Sequence, residues 1–204
     1  MKSNLVLKST LFIAVVLLLI SCAPAVDLNV QPEESSMPEP GSEIDELFIN
    51  MMVPHHQGAV EMANIALERS GRSEIQGLAN TIISSQEAEI TQLKNWKEQW
   101  YGSSETPSMQ VMPAMEGGHA AMNMQADVDA LKNAPEPFDL AFIDAMIPHH
   151  QSAIDAAQMV IDSAVHPEIS ELAQQIIEAQ KKEIEQMLEW RQEWYPEAPA
   201  NHMK

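Results

Sequence analysis

The sequence predicts an all-α protein, a four-helix bundle made of two duplicated helical hairpins. Two observations carry this: the chain repeats itself at a fixed offset, and each copy holds apolar residues at helical spacing. Phe48-Ile49-Asn50-Met51-Met52-Val53-Pro54-His55-His56-Gln57 returns 94 residues later as Phe142-Ile143-Asp144-Ala145-Met146-Ile147-Pro148-His149-His150-Gln151. The register holds without a gap through Trp96, Trp100 and Tyr101, which return as Trp190, Trp194 and Tyr195. Of the 54 aligned positions from 48 to 101, 22 are identical, which marks an internal duplication.

Each copy reads as two helices. Ile75, Leu78, Ala79, Ile82, Ile83, Ile90, Leu93 and Trp96 fall three or four apart, as one face of an α-helix requires. Their counterparts from Ile169 to Trp190 do the same. The first helices are expected over about 43–69 and 138–164, with turns near Gly71 and near His166-Pro167. Two hairpins with one apolar stripe each bury those stripes best against each other. The division that follows is 43–101 and 138–195 for the two repeats, 102–137 for the linker and 196–204 for a tail. The linker, rich in Pro, Gly and polar residues, is expected to be irregular.

Composition narrows the function. The 204 residues carry 30 Asp and Glu against 11 Lys and Arg, a net charge of −19 that disfavours nucleic acid as a partner. One cysteine rules out a disulfide framework and a Cys-rich metal site. Seven glycines form neither nucleotide-binding fingerprint. Fourteen methionines are the outstanding feature.

Residues 1–21 read as an export signal: Lys2 and Lys8 precede an apolar run from Leu11 to Ile20, about half of what crosses a bilayer. Leu19-Ile20-Ser21-Cys22 resembles the bacterial lipobox, in which the cysteine is lipidated and becomes the mature N-terminus. The alternatives are an ordinary signal peptide with an incidental cysteine, or an uncleaved anchor. Residues 22–42, with four prolines and a Glu-Glu-Ser-Ser run, read as a solvated tether. Cleavage before Cys22 removes Lys2 and Lys8 and places the chain in an oxidising compartment, on the membrane face toward the periplasm or exterior. Lipidation at Cys22 consumes the only thiol, so soft-metal chemistry there falls to Met and His.

The paired histidines are the first candidate ligands. If the helix continues through Pro54, His55 and His56 point about 100° apart and straddle the buried face. Met51 then lies one turn from His55, and Met52 one turn from His56, with Met62 further along. If Pro54 instead opens the helix, that spacing fails. The second copy keeps Met146, His149 and His150 but has Ala145 and Ala156 in place of Met51 and Met62, with Met159 nearby. The two sites are therefore expected to be unequal. The alternative is that the histidines pack at the core edge, hydrogen-bonded to Gln86 and Gln180. Duplicated pairs beside methionine favour ligation.

The linker carries a second signal. Met109, Met112, Met115, His119, Met122 and Met124 occur within sixteen residues, interrupted by Pro113, Gly117 and Gly118. A methionine stripe on a helix usually packs a core, but proline and glycine break this one. Thioethers in an adaptable loop suit a soft monovalent ion such as Cu(I); the alternative is an unstructured linker with incidental methionines. His202-Met203 is a weaker hint of the same kind.

Catalysis is not indicated. A di-iron bundle needs Glu-x-x-His, yet Met52 and Met146 stand three residues before His55 and His149. Glu89 and Glu183 recur beside Gln86 and Gln180, and no Ser–His–Asp triad is visible. A metal-dependent oxidase and a purely structural bundle remain as alternatives to metal binding.

Segments Phe48–Ala63 and Phe142–Ala157, with their Met-Val/Ile-Pro-His-His-Gln core, resemble the signature of the bacterial family known as domain of unknown function 305. The resemblance spans both repeats. It implies a ferritin-like four-helix bundle in exported proteins, some of them periplasmic copper-binding proteins that serve copper resistance through Met and His ligands. Met52, His55, His56 and Met62 match the motif in the first copy, and Met146, His149 and His150 in the second. Asn50 and Ala156 depart from the usual Asp and Met. The expectation is a lipid-anchored copper-binding protein, Cu(I) favoured over Cu(II) or Ag(I), with the membrane and another copper protein as partners.

Overall fold

The computed structural model describes residues 42–108 and 124–199. Helix α1 (Ser42–Arg69) runs through Pro54 without interruption. Glu43 and Asp45 in its first turn and Arg69 in its last complement the helix dipole. A three-residue turn reverses the chain into α2 (Ser73–Tyr101), so the two helices are antiparallel. Gly102 ends α2 in the left-handed conformation (φ 73°), and its N–H donates to the Glu98 carbonyl. Without a Cβ, glycine takes this cap free of strain. The second hairpin is α4 (Phe138–Val160) and α5 (Pro167–Trp194), the latter opened by proline, whose missing N–H costs nothing there.

Two findings differ from the sequence-based boundaries. The linker is not wholly irregular, because α3 (Met124–Lys132) forms within it and buries Met124, Val128 and Leu131 against the bundle. Their spacing of four and three is an amphipathic helix in miniature. Helix α4 also stops at Val160, short of residue 164. The Asp45 carboxylate, fully buried at the start of α1, accepts the N–H groups of Val165 (3.1 Å) and His166 (2.8 Å) and draws the chain out of the helix.

The helices pack pairwise, α1 on α2 and α4 on α5, and the hairpins meet along α1 and α4. Two apolar clusters fill the interior. One combines Phe48 to Val53 of α1 with Ala153 to Val160 of α4 and the N-terminal half of α5. The other combines Ala59 to Ala66 of α1 with Phe138 to Ile147 of α4 and the N-terminal half of α2. The start of α1 thus lies beside the end of α4, and these two helices are antiparallel. Between the clusters, each long helix contributes buried polar residues: His55 and His56, Gln86, His149 and His150, and Gln180. Among the described residues no helix is long and apolar enough to cross a membrane.

The duplication also builds matching clamps at the bundle ends. Asp45 accepts from His166 Nδ1 at 2.7 Å, and His166 stacks on Trp100 with ring centroids 3.7 Å apart. At the equivalent positions Asp139 pairs with Arg72 (3.1 Å), whose guanidinium lies 4.2 Å over Trp194. The two clamps differ in desolvation. Asp45 is wholly buried and its three donors would be orphaned by truncation, whereas Asp139 keeps 14% of its surface in water. Asp45→Ala should therefore cost about 2–3 kcal/mol in urea unfolding, and Asp139→Ala clearly less. Equal losses would contradict this account of the clamps.

Candidate metal centre

The helical register explains why each His pair divides its labour. Because α1 continues through Pro54, consecutive residues diverge by about 100°. His55 faces α4 and His56 faces α2; His149 and His150 repeat the pattern on α4. The His55 and His149 rings meet where α1 and α4 pack, centroids 3.9 Å apart. The two outer rings lie 6.2 and 6.4 Å from their inner neighbours. His56 and His150 are fully buried, and His55 and His149 nearly so.

Burial holds the His55 and His149 rings well below the usual imidazole pKa. Their imidazole neighbours push the same way, and for His55 the His149 carbonyl works in opposition. The inner pair is therefore neutral at neutral pH, and each neutral ring offers one nitrogen lone pair.

For His55 and His150, hydrogen bonds fix which nitrogen is free. Ser152 donates its one hydroxyl proton to the His149 carbonyl (2.6 Å). Its oxygen must then accept from His55 Nε2, 2.9 Å away. His55 thus carries its proton on Nε2, leaving the buried Nδ1 without a partner. His150 Nε2 is hydrogen-bonded to Glu183 at 2.6 Å, which likewise leaves Nδ1 unpartnered. His56 Nε2 lies 2.7 Å from a Glu89 oxygen but out of line for a hydrogen bond. Neither nitrogen of His149 has a hydrogen-bond partner. A carboxylate or hydroxyl on one nitrogen and a bare lone pair on the other is how metal-ligating histidines are oriented.

The histidines do not bond to Gln86 and Gln180, the alternative partners expected from sequence. Both glutamines are buried in the layer, but their Oε1 atoms are themselves unpartnered. The orienting groups are Glu89 and Glu183, one turn further along, and Ser152. Recurrence of Glu89 as Glu183, beside the recurring Gln86 and Gln180, was the available signal; nothing in the sequence pointed to Ser152.

The methionines distribute unevenly. Met51 and Met52 are buried in one apolar cluster, and Met62 and Met146 in the other, so the expected thioethers flank the imidazole layer on both sides. Met159 does not join them: it is 43% exposed and stands nine residues past His150, about 14 Å along the helix axis. Met124, expected in a loose loop, is instead the first residue of α3 and is 1% exposed. Its Sδ lies 3.6 Å, and His149 Nε2 3.3 Å, from the point a Cβ on Gly58 would occupy. Asp144, the counterpart of Asn50, is engaged with Arg191 on α5 (2.6 Å), so that difference alters an ion pair on the α4–α5 flank. Met109, Met112, Met115, His119, Met122 and Cys22 lie outside the described residues, as does His202-Met203.

The residues present fit a soft cation. Buried nitrogen lone pairs without partners are costly unless something satisfies them, and here they lie between two apolar clusters that contain Met51, Met52, Met62 and Met146. Among the described residues no three His, Cys, Asp or Glu form a group that could hold a metal. A zinc or di-iron centre of nitrogen and carboxylate ligands is thus not assembled among the described residues.

No curated protein matches the chain. Among solved structures, CopM in the Cu(I)-bound form is 40% identical, covering 74% of this chain and 97% of that one with a TM-score of 0.63. CopM has also been solved in Cu(II)-bound and Ag-bound forms, at 42% and 40% identity. A DUF305 fragment from Deinococcus radiodurans is 29% identical over 72% of this chain and 93% of its own, with a TM-score of 0.58. The family described as domain of unknown function (DUF305) matches residues 45–194, which takes in both hairpins and the whole imidazole layer. With both repeats inside that match, the chain belongs to the DUF305 family.

Proposed function

We propose that the chain is a lipid-anchored copper-binding protein of the bacterial envelope, taking up Cu(I) in preference to Cu(II) or Ag(I). It sequesters the metal or hands it to another copper protein, without turnover. The observation that carries the reading is the set of unpartnered buried nitrogens on His55, His149 and His150, set between apolar clusters that contain Met51, Met52, Met62 and Met146. Thioether sulfur selects monovalent copper over harder cations, and neutral imidazole completes such a shell. Similarity at about 40% identity to CopM, solved with Cu(I), Cu(II) and Ag, supports the same cargo. The linker methionines Met109, Met112, Met115 and Met122 supply a second set of donors for exchange. Cys22 in its lipobox-like context supports the anchor, and the net charge of −19 concentrates cations near the surface. Glu89 and Glu183 engage histidine, which supports a binding role over an oxidase.

A packing role for the histidines predicts that copper leaves the melting temperature unchanged; ligation predicts that it rises, since a ligand bound only by the native state stabilises it. Competition against a Cu(I) chelator gives the quantitative test. Replacing His55, His56, His149 and His150 together by Ala should weaken Cu(I) binding at least about tenfold. Unchanged affinity would remove the bundle from the function.

Proton linkage gives a second expectation for the metal-free chain. Unfolded histidines protonate near pH 6.5, while folded His55 and His149 stay neutral well below that. Below about pH 6.5 the unfolded state therefore binds more protons, and stability falls as pH falls. Urea midpoints should drop on acidification from pH 7 to 5, and the drop should shrink in a His55→Gln, His149→Gln variant. An identical pH profile in that variant would contradict the buried neutral pair.

A further inference from the structure

The duplication is broken at one position that faces the imidazole layer. Residue 58 of the first copy is glycine, and its counterpart 94 positions on is Ser152. The serine hydroxyl closes the Nε2 edge of His55, accepting at 2.9 Å while donating to the His149 carbonyl. Gly58 offers the His149 Nε2 edge nothing of the kind. A Cβ there would lie 3.3 Å from that nitrogen, 3.3 Å from Met124 Cβ and 3.6 Å from Met124 Sδ. Any side chain at 58 would press on both at once. His149 Nε2 has no hydrogen-bond partner, and Met124 is brought there by α3, which packs on α1.

The geometry points to an asymmetric first site: a soft monovalent cation held between His149 Nε2 and Met124 Sδ over Gly58, with no Nε2 counterpart at His55. This rests on the copper-binding reading above and specifies which half of the duplicated centre takes the first ion. Three features make the side selective. Glycine leaves space for the cation, sulfur prefers a monovalent soft ion over Zn²⁺ or Mg²⁺, and the enclosed setting keeps water from competing. On the opposite side the serine keeps the proton on His55 Nε2, so that nitrogen has no lone pair to give. Met124 is the C-terminal member of the methionine series beginning at Met109, so the first bundle ligand is also where that series joins the fold.

Ag(I), which resembles Cu(I) but does not change oxidation state in air, is the probe, added in sub-stoichiometric steps to the full chain. With ¹⁵N-labelled histidine, His149 Nε2 should shift with the first equivalent while His55 Nε2 remains a protonated nitrogen. Affinity for the first equivalent should fall about tenfold or more in Met124→Leu, which keeps the packing volume but removes the sulfur. Gly58→Ser, which copies the second repeat into the first, should do the same if it folds. A first equivalent that moves His55 Nε2 as much as His149 Nε2 would overturn the inference, as would a Met124→Leu chain that binds like the wild type. Either result would leave the copper-binding reading standing, whereas a wild-type chain that takes up no Ag(I) or Cu(I) would end both.

Discussion

The contact between the His55 and His149 rings, 3.9 Å apart where α1 and α4 pack, is the constraint on which the rest of the molecule depends. Two imidazoles can share so dry a space only if both stay neutral, and burial enforces that. Neutral rings must then place a lone pair somewhere. An ordinary core would satisfy it with a donor, but this layer leaves several bare, and the apolar clusters on either side both contain buried methionines. The apolar clusters above and below keep water out of the layer. The same walls that stabilise the bundle therefore preserve the donors for a ligand.

Duplication supplied the scaffold, and departures from it supplied the differences. Asp45 with His166 and Asp139 with Arg72 are the same clamp built once around a titratable ring and once around a permanent cation. Lys97 reaches Glu46, while its counterpart Arg191 reaches Asp144 one turn away from the equivalent place. These changes alter the flanks and ends. Gly58 against Ser152 is different, because it falls on the imidazole layer itself and decides which ring nitrogen is exposed to a neighbouring thioether.

Much of this was legible in the sequence because it follows from periodicity. The offset of 94, the helical spacing around Ile75–Trp96 and the divergence of adjacent histidines on one helix each have a geometric reading that survives in the structure. Helix continuity through Pro54 was one of two readings, and tertiary packing on both sides of it outweighs the single lost hydrogen bond. What escaped depends on contacts between distant residues. The proline-rich composition around it concealed the short apolar pattern Met124, Val128, Leu131. Glutamine and glutamate one turn apart both face the layer, and only the packed rotamers show that the glutamates take the imidazoles. Met159 lies close to His150 in sequence, yet a helix spends about 1.5 Å per residue and carries it out of reach.

The central claim is that imidazole nitrogen and thioether sulfur of this bundle meet in one coordination shell. X-ray absorption at the copper edge, recorded on the chain loaded with one equivalent of Cu(I), tests it most directly. The account predicts a first shell containing both nitrogen and sulfur scatterers, with the multiple-scattering pattern of imidazole. A shell of oxygen alone, or of sulfur with no imidazole signature, would contradict it.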